Sequence, residues 1–584
     1  MRIKRRFLLP AYRSFVAESE KTFRAFSASG RVLFFLFAGL LALSTLGLVY
    51  TLNTQFLRAV PAHGGSIREG IIGSPRFINP VLALSDADHD LTNLVYSGLL
   101  RATPAGGYIP DLAKTYTISD DGRIYTVVLK DATFHDGTPV SAEDVAFTIA
   151  RTQDPALKSP GRANWKGVAV TVVDAKTIQF TLKQAYAPFI ENLTFGILPK
   201  HLWQGVSTDE MPFSELNSAP IGSGPFMMGQ IRRTSSGIPS SYVLEAFSEY
   251  ALGKPYLNSM TLYFYQNEDE LLQALAAGDI EMVSGISANN IASLENTNIA
   301  RSSLNRVFGV FFNQNQSEVL RDPAVRQALS HMVDRADLVE KVLGGYGTPL
   351  TGPVPPSLIK NPGAPIEKKD MGLASADTLQ LLREHGWTPG PDGMLQKVTR
   401  IGNSEKATPL AFSLATSNVP ELRTAAEYLR HAWGTIGIKV DVHVYDQGDL
   451  SQNVIRPRKY DALLFGEVVG RELDLFAFWG STQRVDPGLN IALYASVAAD
   501  KILEELRQSN TDSEREQLYH TFAAELAKDI PAIFLYAPDF MYIVPKDVQG
   551  LGLGFIETPS DRFLSAYQWH REVDYVWPFF ARTQ

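Results

Sequence analysis

Between Val32 and Phe56 the sequence VLFFLFAGLLALSTLGLVYTLNTQF carries no charged residue. A helix needs about 20 apolar residues to cross roughly 30 Å of hydrocarbon, and this run is long enough. Eight basic residues (Arg2, Lys4, Arg5, Arg6, Arg13, Lys21, Arg24 and Arg31) precede it, against Glu18 and Glu20 alone. Positive charge stays on the cytoplasmic side, so the N-terminus is expected inside and everything after Arg58 outside. AVPA at 59–62 loosely fits a cleavage site, which makes a signal peptide the rival reading. Signal cores span about 7–15 apolar residues behind a short basic region, and both segments here are longer. An uncleaved, single-pass anchor over 32–56 behind a basic cytoplasmic leader, 1–31, is expected.

Charge divides along the same line. The leader is +6, so a total of −8 leaves −14 on the remainder. An acidic exterior body argues against nucleic acid and against a surface that hugs anionic lipid. The absence of cysteine excludes disulfides, thiolate metal sites, cysteine nucleophiles and a lipid-modified N-terminal cysteine. With 584 residues there is room for several domains or one large two-lobed body.

From Gly64 onward, short alternating strands mix with amphipathic helices in an α/β or α+β pattern. TIQFTLK (177–183), SYVLEAF (241–247) and KPYLNSMTLYFY (254–265) read as strands, and NEDELLQALAAGDI as the helix that follows. PAVRQALSHMVDRADLVEKVLGG (323–345) reads as a long amphipathic helical region closed by glycines. ELRTAAEYLRHAWGTIGIKVDVHVYD (421–446) reads as helix, glycine stop and strand, and YDALLFGEVVG (460–470) as a largely apolar strand. Trp569, Trp577, Phe579 and Phe580 suggest a C-terminus packed onto the body.

FHDGTPVSAEDVAFT (134–148) gathers a histidine, three acids and a serine. Ser141-Ala-Glu-Asp144 is a helix start, in which a serine oxygen and an acid satisfy orphan N–H groups. Asp136-Gly137-Thr138-Pro139 is turn chemistry. His135 lacks a second histidine at metal spacing, so the segment is read as a turn and a cap. GLGLGF (550–555) lacks the Lys-Ser/Thr and βαβ context of a phosphate cradle. No G-x-S-x-G elbow occurs, and Glu472 with Asp474 does not make a glycosidase pair by spacing alone. No catalytic constellation, cofactor site or metal site is expected.

The same stretch, FHDGTPVSAEDVAF, closely resembles the signature of the family 5 extracellular solute-binding proteins, the peptide-binding receptors of ABC importers. The likeness continues through FINPVLALSDADHDLTNLVYSGLL (77–100), APIGSGPF (219–226), VFFNQNQ with DPAVRQALSHMVDR (310–335), GIKVDV, YDALLFG and GLNIALYAS, in family order over about 500 residues. It implies a two-lobed, periplasmic-binding-protein-like fold of mixed α/β class with an extra inserted subdomain. Lobe one would span 64–305, with the subdomain at about 92–215. Lobe two would span 306–541, and 542–584 would return to lobe one.

The resemblance also implies a site. Relatives hold an extended peptide as an added strand between the lobes. The pairing strand maps to Phe465, Gly466, Glu467, Val468 and on to Gly470, and the lobe-one wall to Leu84, Ser85 and Asp86. The acid that pairs with a peptide's ammonium in relatives maps to Gly470, a departure for which Glu467, Glu472 or Asp474 are the candidate replacements. Arg471 is assigned either to a ligand carboxylate or to Glu472 or Asp474. Asn313, Trp433, Trp479 and Asn490 are further pocket candidates, with core packing or turn capping as the plain alternative for each.

The expectation is therefore a monomeric, membrane-anchored, outward-facing receptor that is not an enzyme. It would capture peptides or oligopeptides and pass them to ABC permease subunits. Non-peptide cargo (a sugar, an opine or a metal chelate) is the alternative. An extracellular hydrolase, or a peptide-binding sensor or chaperone-like module, is more remote.

Overall fold

The strand Ala532–Ile543, AIFLYAPDFMYI, is apolar on both faces and joins the two halves of one large sheet. Such double-sided apolar character marks a strand covered on both sides. Its first part pairs antiparallel with Arg306–Phe312, from Phe311↔Ala532 to Phe308↔Tyr536. Its last part pairs with Ile299–Ser303 and Met282–Ser284. Pro538, which donates no ladder hydrogen bond, stands where the strand passes from one half to the other. In this computed structural model the described residues are 21–22, 24–291, 294, 297–359, 366, 368–401, 404–509 and 511–578.

One half-sheet continues from Met282–Ser284 through Ser66–Ile72, Ser259–Tyr265, Pro239–Ala246 and Phe226–Arg233. The other runs from Arg306–Phe312 through Ala462–Val468 and Ala411–Ser417 to Lys439–Tyr445. Ala411–Ser417 and Lys439–Tyr445 are parallel, so a crossover must join them, and the helix Pro420–Gly434 supplies it. Trp433 on that helix is fully buried and donates its indole N–H to the Leu329 carbonyl at 2.9 Å, which makes it core. The first half-sheet is covered by a core that includes Leu91, Tyr542, Phe563 and Trp569. A separate four-stranded antiparallel sheet (Ala113–Ile118, Ile124–Leu129, Thr177–Thr181, Ala169–Asp174) has its own core around Tyr125, Trp165 and Phe189. It falls inside the stretch expected to form an inserted subdomain.

The 134–148 segment is a turn and a cap. Asp144 accepts from the Ser141 N–H at 2.8 Å and hydroxyl at 2.6 Å, and the helix Ala142–Gln153 follows. His135 bonds into the glycine loop of APIGSGPF. Its ring accepts from the Gly222 N–H at 3.3 Å through Nδ1 and meets the Gly224 carbonyl at 3.1 Å through Nε2. One nitrogen accepts and the other must donate, so the ring is neutral. Burial agrees, lowering its pKa to about 4.

The 323–345 region is two helices, not one: Pro323–His331 and Arg335–Leu343. Asp334 divides them, because its carboxylate accepts from the N–H groups of Ala336 (3.1 Å) and Asp337 (3.0 Å) as an N-cap. Gly344, at φ 56°, closes the second.

The described residues of Met1–Ala62 and Glu572–Gln584 form a unit of their own. The helix Ala28–Phe56 begins where Ser27 Oγ accepts from Gly30 N–H at 3.2 Å, and its 29 residues would extend about 43 Å. Its apolar side chains are exposed along its length. Arg58–Pro61 pairs antiparallel with Val573–Val576, and Phe56 stacks on Trp577 with ring centres 6.4 Å apart. Most of the basic leader, with Phe579 and Phe580, lies outside the described residues.

Candidate ligand cleft

The strand Ala462–Val468 has one paired edge and one that is mostly open. Arg306–Phe312 covers the first along its length, and Val469 N–H continues the ladder to Asn305 O at 2.8 Å. On the other edge Ala411–Ser417 reaches only Ala462 and Leu463. Beyond them Thr416 donates its hydroxyl to Leu464 O at 3.1 Å, and residues 465–468 have no strand partner there among the described residues. Gly466 is required by close packing: a Cβ would stand 2.6 Å from the Phe308 ring, which itself stacks on Tyr536. Phe465 is half-buried in the core on the opposite face, and Val468 is exposed. Glu467 is buried opposite Val307, its Oε1 has no hydrogen-bond partner among the described residues, and burial pushes its carboxyl well above the usual range.

Just past the strand lies a small cavity of about 130 Å³, lined by Arg101, Asp111, Glu191, Arg471, Glu557 and Asp561 among others. Gly470 stands beside it. A Cβ there would be 3.6 Å from Glu191 Oε2 and 3.9 Å from Glu557 Oε1. Burial raises the pKa of Glu191 and lifts that of Glu557 further, with the Glu191 charge adding to the second. Arg471 neither stands free nor meets Glu472 or Asp474. It donates to Asp561 at 2.9 Å and to the carbonyls of Thr103 and Phe555, each at 3.1 Å. Its guanidinium also lies 4.4 Å from the centre of the Phe555 ring.

A larger cavity of about 1080 Å³ opens alongside. Its lining includes Thr103, Tyr108, Tyr116, Tyr125, Ile190, Leu358, Arg471, Glu472, Ser509, Arg515 and Tyr519. Binding sites for drug-sized ligands occupy about 300–1,000 Å³, so this space admits an elongated solute. Glu472 lines it and is held by an ion pair with Arg515. Asp474 accepts from Arg507 Nε and Nη2, both at 2.9 Å, and from the Tyr186 hydroxyl at 2.8 Å.

The other sequence-predicted residues lie elsewhere. Ser85 caps the helix Asp86–Val95, accepting from Asp88 N–H at 3.1 Å, and Leu84 is exposed before it. Only Asn93, near the far end of that helix, reaches the small cavity. Asn313 is buried and binds the Arg458 carbonyl at 2.8 Å and the N–H of Asn315 at 3.1 Å. Asn490 ties Gly480 and Tyr494 together in a buried turn. Trp479 sits in an aromatic cluster with Phe311, Tyr494, Phe522 and Phe534. Sequence reasoning missed Glu191, Glu557 and Asp561. Glu191 left one faint signal, an acid inside the apolar run APFIENLTFGIL.

The description "Bacterial extracellular solute-binding proteins, family 5 Middle" matches residues 107–482, and the chain belongs to this family. It is 28% identical over 504 residues to the oligopeptide-binding protein AppA of Bacillus subtilis (strain 168), covering 84% of this chain and 89% of AppA. The glutathione-binding protein GsiB of Escherichia coli O157:H7 is 26% identical over 455 residues, covering 75% of this chain and 82% of GsiB. Among solved structures, the ABC transporter substrate-binding protein CtaP of Listeria monocytogenes superposes with a TM-score of 0.72 at 27% identity, over 87% of this chain and 100% of CtaP. AppA in complex with a nonapeptide gives 0.65 at 26% identity, over 87% of this chain and 99% of AppA. The fold is the mixed α/β, two-lobed, periplasmic-binding-protein-like one, and an apolar helix precedes it.

Proposed function

We propose that this protein is a membrane-anchored extracytoplasmic receptor that captures peptides between two lobes and hands them to the permease subunits of an ABC transporter. The observation that carries the reading is the open edge of residues 465–468 with the 1080 Å³ cavity beyond it. An extended peptide is satisfied by such an edge, because its backbone supplies the missing ladder partner and the cavity accepts side chains. The names of the relatives AppA and GsiB, oligopeptide-binding and glutathione-binding, support peptide cargo. Lobe one is assigned to 64–305 with its subdomain at about 92–215, lobe two to 306–541, and the return to 542–584. Phe465 to Val468 are assigned to backbone pairing.

The helix Ala28–Phe56 is read as a single-pass anchor with its N-terminus in the cytoplasm and the body outside. Tethering keeps a receptor at high effective concentration near its permease. The receptor acts as a monomer and without catalysis. Ligand that binds only the folded state stabilises it by about 2.7 kcal/mol at 100 times Kd. A peptide digest should therefore raise the melting temperature of the full chain in detergent by several degrees, and sugar or opine mixtures should not. The reverse pattern would refute peptide cargo.

A further inference from the structure

The last strand of the chain is held at the C-terminal end of the apolar helix, where Arg58–Pro61 pairs with Val573–Val576. We propose that this two-stranded ribbon lies on the bilayer, with one uncharged face seated in the interfacial layer of the outer leaflet. The C-terminal strand is then a second membrane contact. The inference rests on the reading of Ala28–Phe56 as a membrane anchor and adds a partner surface for the ribbon that follows it.

The register sets Arg58 opposite Val576, Ala59 opposite Tyr575, Val60 opposite Asp574 and Pro61 opposite Val573. Ala62 N–H takes the ladder one step further, to Glu572 O at 2.9 Å. Side chains alternate between faces along a strand, and directly opposed residues share a face. Ala59, Pro61, Val573 and Tyr575 therefore make up one face, which bears no charge. Arg58 and Asp574 fall on the other face, with Val60 and Val576. On the uncharged face Tyr575 is 66% exposed, and Ala59 is exposed as well. Trp577 follows two residues after Tyr575 and stacks on Phe56, with the ring planes 10° apart.

Three further points favour lipid as the cover for that face. A lone pair of strands is marginal in water, and this ribbon is a sheet of two strands only. Its apolar side therefore gains from a surface to sit on. Continuity with the helix comes next: only Leu57 separates Phe56, the last helical residue, from Arg58, the first residue of the strand. One residue spans at most about 3.6 Å, so the ribbon starts at the level where the helix ends. Val32 to Phe56 would extend about 37 Å against roughly 30 Å of hydrocarbon, which brings the Phe56 end to the headgroup layer. Finally, tryptophan and tyrosine collect in that layer, because each joins an apolar body to a polar handle. The face offers Tyr575 beside Trp577 and no charge to desolvate, while Arg58 and Asp574 point away from it.

The test reads tryptophan fluorescence of the full chain in phosphatidylcholine vesicles, with or without phosphatidylcholine brominated high on its acyl chains. Six of the seven tryptophans are at most 2% exposed, so a quencher dissolved in lipid reports on Trp577. Trp577→Phe isolates its share of the emission by difference. The expected result is that bromolipid lowers the Trp577 emission roughly twofold or more, whereas iodide in the water barely reaches it. Tyr575→Asp, which puts a charge on the seated face, should abolish most of the bromolipid effect and admit iodide, with the chain still retained after alkaline extraction. Absence of bromolipid quenching in a chain that stays with the vesicles overturns the ribbon contact and leaves the anchor intact. If iodide is also excluded in that case, a protein surface covers the face instead. A Tyr575→Asp variant quenched as strongly as the parent likewise overturns the ribbon contact. Release of the parent chain by alkaline extraction overturns the anchor and the inference together.

Discussion

Arg471 and Asp561, ninety residues apart in sequence, form an ion pair at 2.9 Å in which the arginine side chain is only 3% exposed. The arginine follows the open strand of one half of the molecule, while Asp561, Thr103 and Phe555 belong with the other. Removing one partner of a buried pair costs about 3–5 kcal/mol, because the remaining charge is left without compensation. Arg471→Gln should therefore shift the urea midpoint of the full chain down strongly. It should also enlarge the radius of gyration without ligand, as the link between the halves is lost. An unchanged midpoint and radius would count against this arrangement.

Arg562 tests the same physics away from the cleft. It donates to Glu69 Oε1 at 2.8 Å and to both oxygens of Asp90, at 2.8 and 2.6 Å, and Tyr542 donates to Glu69 at 2.6 Å. All four side chains are buried. Arg562→Met should cost about 3–5 kcal/mol in chemical denaturation, since two carboxylates lose their only guanidinium among the described residues. A loss below about 1 kcal/mol would contradict this.

His135 makes stability depend on pH. Its folded pKa is lowered to about 4 by burial, against about 6.5 unfolded. The unfolded chain therefore binds a proton that the folded chain resists, and stability falls as pH drops from about 6.5 toward 4. The contribution is at most about 3 kcal/mol, at 1.36 kcal/mol per pKa unit. His135→Gln should flatten the stability profile in that window while leaving the profile above pH 7 parallel to the parent. A variant with an unflattened slope would exclude the histidine as its source.

Gly466 links packing to binding. A side chain at this position would press on Phe308 at 2.6 Å and disturb the strand that carries the open edge. Gly466→Val should weaken peptide capture at least tenfold and cost about 1–3 kcal/mol by overpacking. Normal capture by a folded variant would remove this edge from the site.

The apolar helix makes its own prediction. Leu41→Arg with Leu43→Arg adds about 2.5–3.5 kcal/mol per arginine to insertion at a helix centre. The parent chain should stay with membranes after alkaline extraction, and the double variant should be released. Equal release of both would deny the anchor.

Local patterns were legible in the sequence because their partners are near in the chain. The cap of Asp144 on Ser141 spans three residues, and the largely apolar run around Ala462–Val468 marks a mostly buried strand. The break at Asp334 inside 323–345 did not show, because an acid within an amphipathic repeat looks the same whether it faces solvent or caps the next helix. The cleft was hardest to read. Tyr186 reaches Asp474 across 288 positions and Arg471 reaches Phe555 across 84, and no periodicity encodes such pairs. Glu557 follows GLGLGF closely, yet its nearness to Gly470 exists only once the two halves meet.

The most direct measurement is native mass spectrometry of the full chain, extracted in detergent from membranes of its own host without refolding. The account predicts a ladder of retained adducts that fragment as peptides. A single adduct of non-peptide composition would contradict it.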